Sequence, residues 1–93
     1  MPLVKVLPFD KKIGFAQKAM VKIKNQVYRL FYSWNANGFV TLRIRDLDGR
    51  IVFNGKLAEK NAYEVKDPAT HEVLFTILAW KVEKEEVEVW VFE

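Results

Sequence analysis

One histidine, His71, and one serine, Ser33, are the whole supply from which this chain could build a serine–histidine nucleophile. That chemistry needs the serine on a strained turn with the imidazole within hydrogen-bond reach. Ser33 instead lies inside a run of strand-forming residues, and His71 follows Asp67-Pro68-Ala69-Thr70, a turn spelling. With no cysteine, a lone histidine cannot assemble a zinc site. Asp46-Leu47-Asp48-Gly49 matches the opening of a calcium loop, but Leu57 stands where such a loop needs its bidentate glutamate, so Asp46 and Asp48 read as turn formers. Glu83, Glu85, Glu86 and Glu88 crowd a turn and a strand edge, where charge discourages unwanted pairing. The chain therefore reads as non-enzymatic, with no catalytic residue, metal, cofactor or small-molecule ligand expected.

The chemistry that remains is cationic and aromatic. If Tyr28, Leu30, Tyr32 and Trp34 point inward with Val40, Leu42 and Ile44, the opposite face carries Arg29, Phe31 and Ser33 beside Phe39, Thr41, Arg43 and Arg45. Cations interleaved with rings serve single-stranded nucleic acid binders, the cations for phosphate and the rings for base stacking. Arginine and aromatics are equally the residues of protein interfaces. In a third arrangement another strand covers the rings while the arginines snorkel to water. A formal net charge of +3 is modest beside nucleic-acid-binding domains, which leaves nucleic acid as the alternative to a protein partner. With the aromatics of the last strand added, the candidate interaction face is Arg29, Phe31, Phe39, Arg43, Arg45, Trp90 and Phe92.

Strands must position these residues. Aromatic and β-branched residues fill Val27 to Trp34 and Phe39 to Arg45, and the breaks after them hold Asn, Asp and Gly, which tolerate left-handed backbone. Leu3 to Leu7 alternates Lys5 against Val4 and Val6 until Pro8 ends it, and Phe9 to Lys18 reads as a connection with room for a short helical turn. Ala19, Val21 and Ile23 alternate against Met20, Lys22 and Lys24, and Asn25-Gln26 reads as the turn that follows. Arg50 to Asn54 predicts a short strand with Ile51 and Phe53 inward, and Ala62 to Lys66 another, broken by Asp67-Pro68. The apolar run Glu72 to Val82 favours a buried strand, although periodicity alone leaves a helix open. Val87, Val89 and Val91 then alternate against Glu88, Trp90 and Phe92. About seven short strands without an amphipathic helix predict an all-β, antiparallel barrel or sandwich over residues 1–93 as one domain.

Composition agrees with that scale. A 93-residue chain with 51% hydrophobic and 14% aromatic residues suffices for one compact core. The longest apolar run, Val73 to Trp80, is far short of the ~20 residues of a bilayer span, and Met1 to Pro8 lacks a signal-peptide core. The expectation is a protein kept inside a cell or packed into a particle there, without membrane contact. Charge is unevenly laid out: residues 1–60 carry twelve Lys and Arg against four acids, residues 61–93 three against eight. Either the halves interleave and neutralise, or the fold presents a basic and an acidic face fit for head-to-tail contact.

The block Gln17 to Gly49 also resembles the small baseplate plug proteins of contractile phage tails and phage-like particles. Gln17, Ala19, Val21 and Ile23 match its first strand, and Tyr28, Arg29, Leu30, Trp34 and Asn35 its Tyr-Arg-Leu run into an aromatic and Asn. Gly38, Leu42 and Ile44 match the Gly-aromatic strand, and Asp46, Asp48 and Gly49 the Asp-x-Asp-Gly turn. The match covers about a third of the chain, with a looser echo in Asn54-Gly55-Lys56-Leu57, and ends at Ala58-Glu59-Lys60-Asn61. It implies a structural subunit of a phage or phage-like tail particle, made in a bacterial cytoplasm. Its implied partners are hub, tube-end and spike proteins, with self-association within the particle.

Overall fold

Alternation of apolar and polar residues, one face buried and one solvated, is what makes the chain fold as antiparallel sheet. The computed structural model describes residues 3–92, with side chains from Lys5 onward. Eight strands form: β1 (Leu3–Val6), β2 (Gln17–Ile23), β3 (Gln26–Asn35), β4 (Phe39–Arg45), β5 (Ile51–Leu57), β6 (Asn61–Lys66), β7 (Val73–Val82) and β8 (Val87–Phe92). They make two four-stranded antiparallel sheets, ordered β2-β3-β4-β5 and β1-β8-β7-β6, packed as a small sandwich. Among the described residues no helix is long and apolar enough to cross a membrane. The run from Glu72 to Val82 is a strand, and the connection from Phe9 onward holds only a turn at residues 11–13 and a bend. Gln17 and Lys18, assigned to that connection from sequence, already belong to β2.

The core lies between the sheets. Leu30, Tyr32, Leu42 and Ile44 meet Val65, Phe75, Ile77, Val89 and Val91, all with at most 2% of their surface exposed. Tyr28 packs edge-on against Phe75 across the sandwich, with ring centroids 5.2 Å apart, and Phe53 meets Tyr63 at 5.5 Å. Edge-to-face contact is the arrangement that ring quadrupoles favour. On the open side, the Lys5 ammonium donates to the carbonyl of Lys22 and so ties β1 to the edge of the other sheet. The facing expected of Val4 lies outside the described side chains; Val6 points outward and Leu7 is buried.

Turn chemistry sets the registers. Between β2 and β3 the loop is Lys24-Asn25, both at positive φ (51° and 64°), because Ile23 pairs with Gln26. The turn therefore sits one residue before the Asn25-Gln26 expected from sequence, as a two-residue hairpin with its twist matched to the strands. Buried Gln17 anchors the long first connection: its Oε1 accepts from Asp10 N at 2.9 Å, and its Nε2 donates to the carbonyls of Asp10 (2.8 Å) and Gly14 (2.9 Å).

One expectation in the first sheet is overturned. Ile51 points to solvent, 41% exposed, while Val52 is buried. A bulge is the cause: Ile44 pairs with Phe53 and Arg45 with Ile51, so Val52 is the extra residue and the facing of the strand changes there.

Candidate functional site

The outward face of β2-β3-β4-β5 is built by alternation, interrupted in β5 by the bulge that turns Ile51 outward. Strands β2 to β5 contain six cations, Lys18, Lys22, Arg29, Arg43, Arg45 and Lys56, and not one acid. Register brings them into rows. Lys18, Phe31, Arg43 and Asn54 lie side by side across the four strands, and the next row is Met20, Arg29, Arg45 and Ile51. Met20, 60% exposed, and Ile51 thus flank a pair of arginines with apolar surface. Lys18, Met20, Arg29, Phe31, Arg43 and Arg45 line an open hollow on this face.

The rings on this face are already engaged. The Arg43 guanidinium lies over the Phe31 ring, 5.2 Å from its centroid, and the Lys56 ammonium over Phe39 at 4.9 Å. Arg45 Nη1 donates to the carbonyl of Gly49 at 3.0 Å, which holds its fork against the β4–β5 turn. Ser33 spends its hydroxyl on Thr41 across the β3–β4 ladder. His71, at positive φ in the β6–β7 turn, belongs to the other sheet, so the two residues of the serine–histidine chemistry are not brought together.

Trp90 and Phe92, grouped with the arginines from sequence, are on the outward face of the second sheet. Strand β8 lies between β1 and β7, so its outward residues look away from Arg29, Arg43 and Arg45. There Trp90 stacks on Trp80 with centroids 4.2 Å apart and planes 18° from parallel. Trp80, 38% exposed, is the extra residue of a bulge between Ala79 and Lys81. Lys60 caps it, with Nζ 3.3 Å from the ring centroid and 2.7 Å from the Trp80 carbonyl, and Trp90 Nε1 donates to Glu88 at 2.6 Å. Sequence reasoning missed Trp80 because the apolar run from Val73 to Trp80 hides which of its residues face outward, and it missed Lys60 because that side chain reaches from a turn.

The acids are employed elsewhere. Asp46 accepts from Arg50 N and Nε, both at 2.9 Å; burial pushes its carboxyl up, but these bonds and the Arg50 charge outweigh that and hold it below the ordinary aspartate value. Asp67 accepts from Ala69 N (2.8 Å) and Thr70 N (3.1 Å), which lowers its pKa. Glu86 pairs with Lys81 at 3.1 Å and is lowered by that bond. Among the described residues no group of three His, Asp or Glu side chains is placed to hold a metal ion. No protein-family model, curated protein or solved structure matches this chain.

Proposed function

We propose that this protein is a non-enzymatic structural subunit that acts by packing through its sheet faces, in the role of the baseplate plug of a contractile phage or phage-like tail. The observation that carries the reading is the separation of two chemically unlike outer faces, one cationic and one carrying a tryptophan stack, on a small sandwich. Repeated assemblies are built from such patches, each complementary to a different neighbour. The plug role itself comes from the resemblance of Gln17 to Gly49, which folds as the continuous hairpin unit β2-β3-β4 with its closing turn.

In this role the protein is made in the bacterial cytoplasm and carried in the tail particle, where hub, tube-end and spike proteins are its neighbours. Mass spectrometry of tail particles purified from the encoding strain tests this. The protein should co-purify in fixed ratio to tube and hub, and deletion of its gene should abolish complete particles. Normal particles from the deletion strain would refute the role.

A further inference from the structure

A sheet face that carries six cations and no acid is electrostatically uncompensated. The ion pairs of the described residues, Arg50–Asp46, Lys66–Glu64 and Lys81–Glu86, are at 2.9, 3.7 and 3.1 Å and use none of the six. Arg29 and Arg45 even stand directly opposite each other, an arrangement that costs stability. A fold that leaves so many like charges side by side gains from an anionic partner.

The chain's own acids do not supply a matching surface. Asp46 and Asp67 are spent in turns, Glu59 accepts from Val82 N at 3.0 Å, and Glu88 is bound to Trp90. The turn with Glu83, Glu85 and Glu86 also holds Lys84, Lys81 of β7 pairs with Glu86, and Lys11 lies near enough to act on the same carboxylate. Although residues 61–92 are net acidic, the second sheet sets Lys66 beside Glu64 and Lys81 opposite Glu88, so a second copy offers no acidic face comparable to the cationic one.

We infer that the outer face of β2-β3-β4-β5 is a docking site for a carboxylate-rich surface of a different protein. Arginine forks suit carboxylates bidentately. Exposed Met20 and Ile51 flank the arginines with apolar contact surface, and Met, Arg and aromatics are the residues enriched in protein interfaces. Base stacking, the alternative use of such a face, finds Phe31 and Phe39 already topped by Arg43 and Lys56. The inference rests on the protein being a packing subunit, but its test does not need the particle.

The probes are a fluorescein-labelled glutamate-rich peptide and a labelled oligothymidylate, each of about 20 units, followed by anisotropy at about 50 and about 300 mM salt. The peptide should bind and weaken with salt. The double variant Arg43→Glu/Arg45→Glu should weaken it by about tenfold or more, and the charge-matched control Lys11→Glu/Lys12→Glu by less than about threefold. Circular dichroism of both variants should match the parent.

Absence of peptide binding, or equal loss in the control, overturns the docking site. Oligothymidylate bound about tenfold tighter than the peptide, and lost in Phe31→Ala, transfers the face to nucleic acid. Peptide binding retained while the protein is missing from tail particles would refute the baseplate role alone.

Discussion

Tyr32 buries its hydroxyl. It is fully buried, its ring meets Phe9 edge-on at 5.1 Å, and its oxygen has no hydrogen-bond partner among the described residues. Burial also pushes its phenol far above the ordinary tyrosine value. A buried polar atom left unpaired costs about 1–3 kcal/mol, so Tyr32→Phe should stabilise the protein by about 1 kcal/mol. In a domain of this size that is a rise in Tm of about 4–8 °C, read by thermal denaturation; a fall would mean the hydroxyl is satisfied by bridging water. Gly49 is the converse case. Its φ is +85°, and a Cβ there would meet nothing within 4 Å, so any cost of substitution comes from the backbone alone. Gly49→Val should destabilise by about 1 kcal/mol or more, and an unchanged Tm would show that the turn tolerates a side chain there.

At the scale of elements, the strands with strict alternation were legible from residues alone. Leu30, Tyr32 and Trp34 pair with Ile44, Leu42 and Val40 as their period of two requires, and Val87, Val89 and Val91 fill the second sheet in the same way. What escaped the reading lies at bulges and turns. Val52 displaces Ile51 from the core because one extra residue changes the facing of β5, and Lys24 takes a positive φ more typical of Asn or Gly. The candidate face was half legible: Arg29, Phe31, Arg43 and Arg45 converge, and Phe39 lies at one end of the same face beside Lys56. Trp90 and Phe92 could not be assigned because strand order is set by long-range pairing that periodicity does not encode. The turns also govern acid stability. Asp46, Asp67 and Glu86 have lowered folded-state pKa values, so the stability they contribute is complete above the ordinary carboxylate range near pH 4 and is lost as pH falls through the folded values. Melting temperature should be flat from neutrality to about pH 5 and decline below about pH 4. Asp67→Asn should lower the plateau and flatten the decline; an unaltered acid limb would mean that the Asp67 cap contributes nothing.

For the whole molecule, the uneven charge of the sequence becomes a spatial separation, since β2 to β5 form one sheet and β6 to β8 most of the other. Residues 17–57 carry eight Lys and Arg against two acids, residues 61–92 three against seven. A face held ready for an acidic partner should carry a stability penalty in the isolated protein, because like charges repel across the ladder and no acid relieves them. The Arg29–Arg45 pair isolates the effect. Arg29→Glu replaces a directly opposed like pair by an opposite one and should raise stability by about 0.2–1 kcal/mol at low salt. The gain should shrink as salt rises, since screening acts over about 10 Å at 0.1 M. In the parent, Tm should climb with the first additions of sodium chloride for the same reason. The measurement is a set of thermal melts of parent and variant against salt, and a Tm for Arg29→Glu at or below that of the parent throughout would show that the cationic face is not under electrostatic strain. The same variant should bind the glutamate-rich peptide less well, so that stability rises as docking is lost.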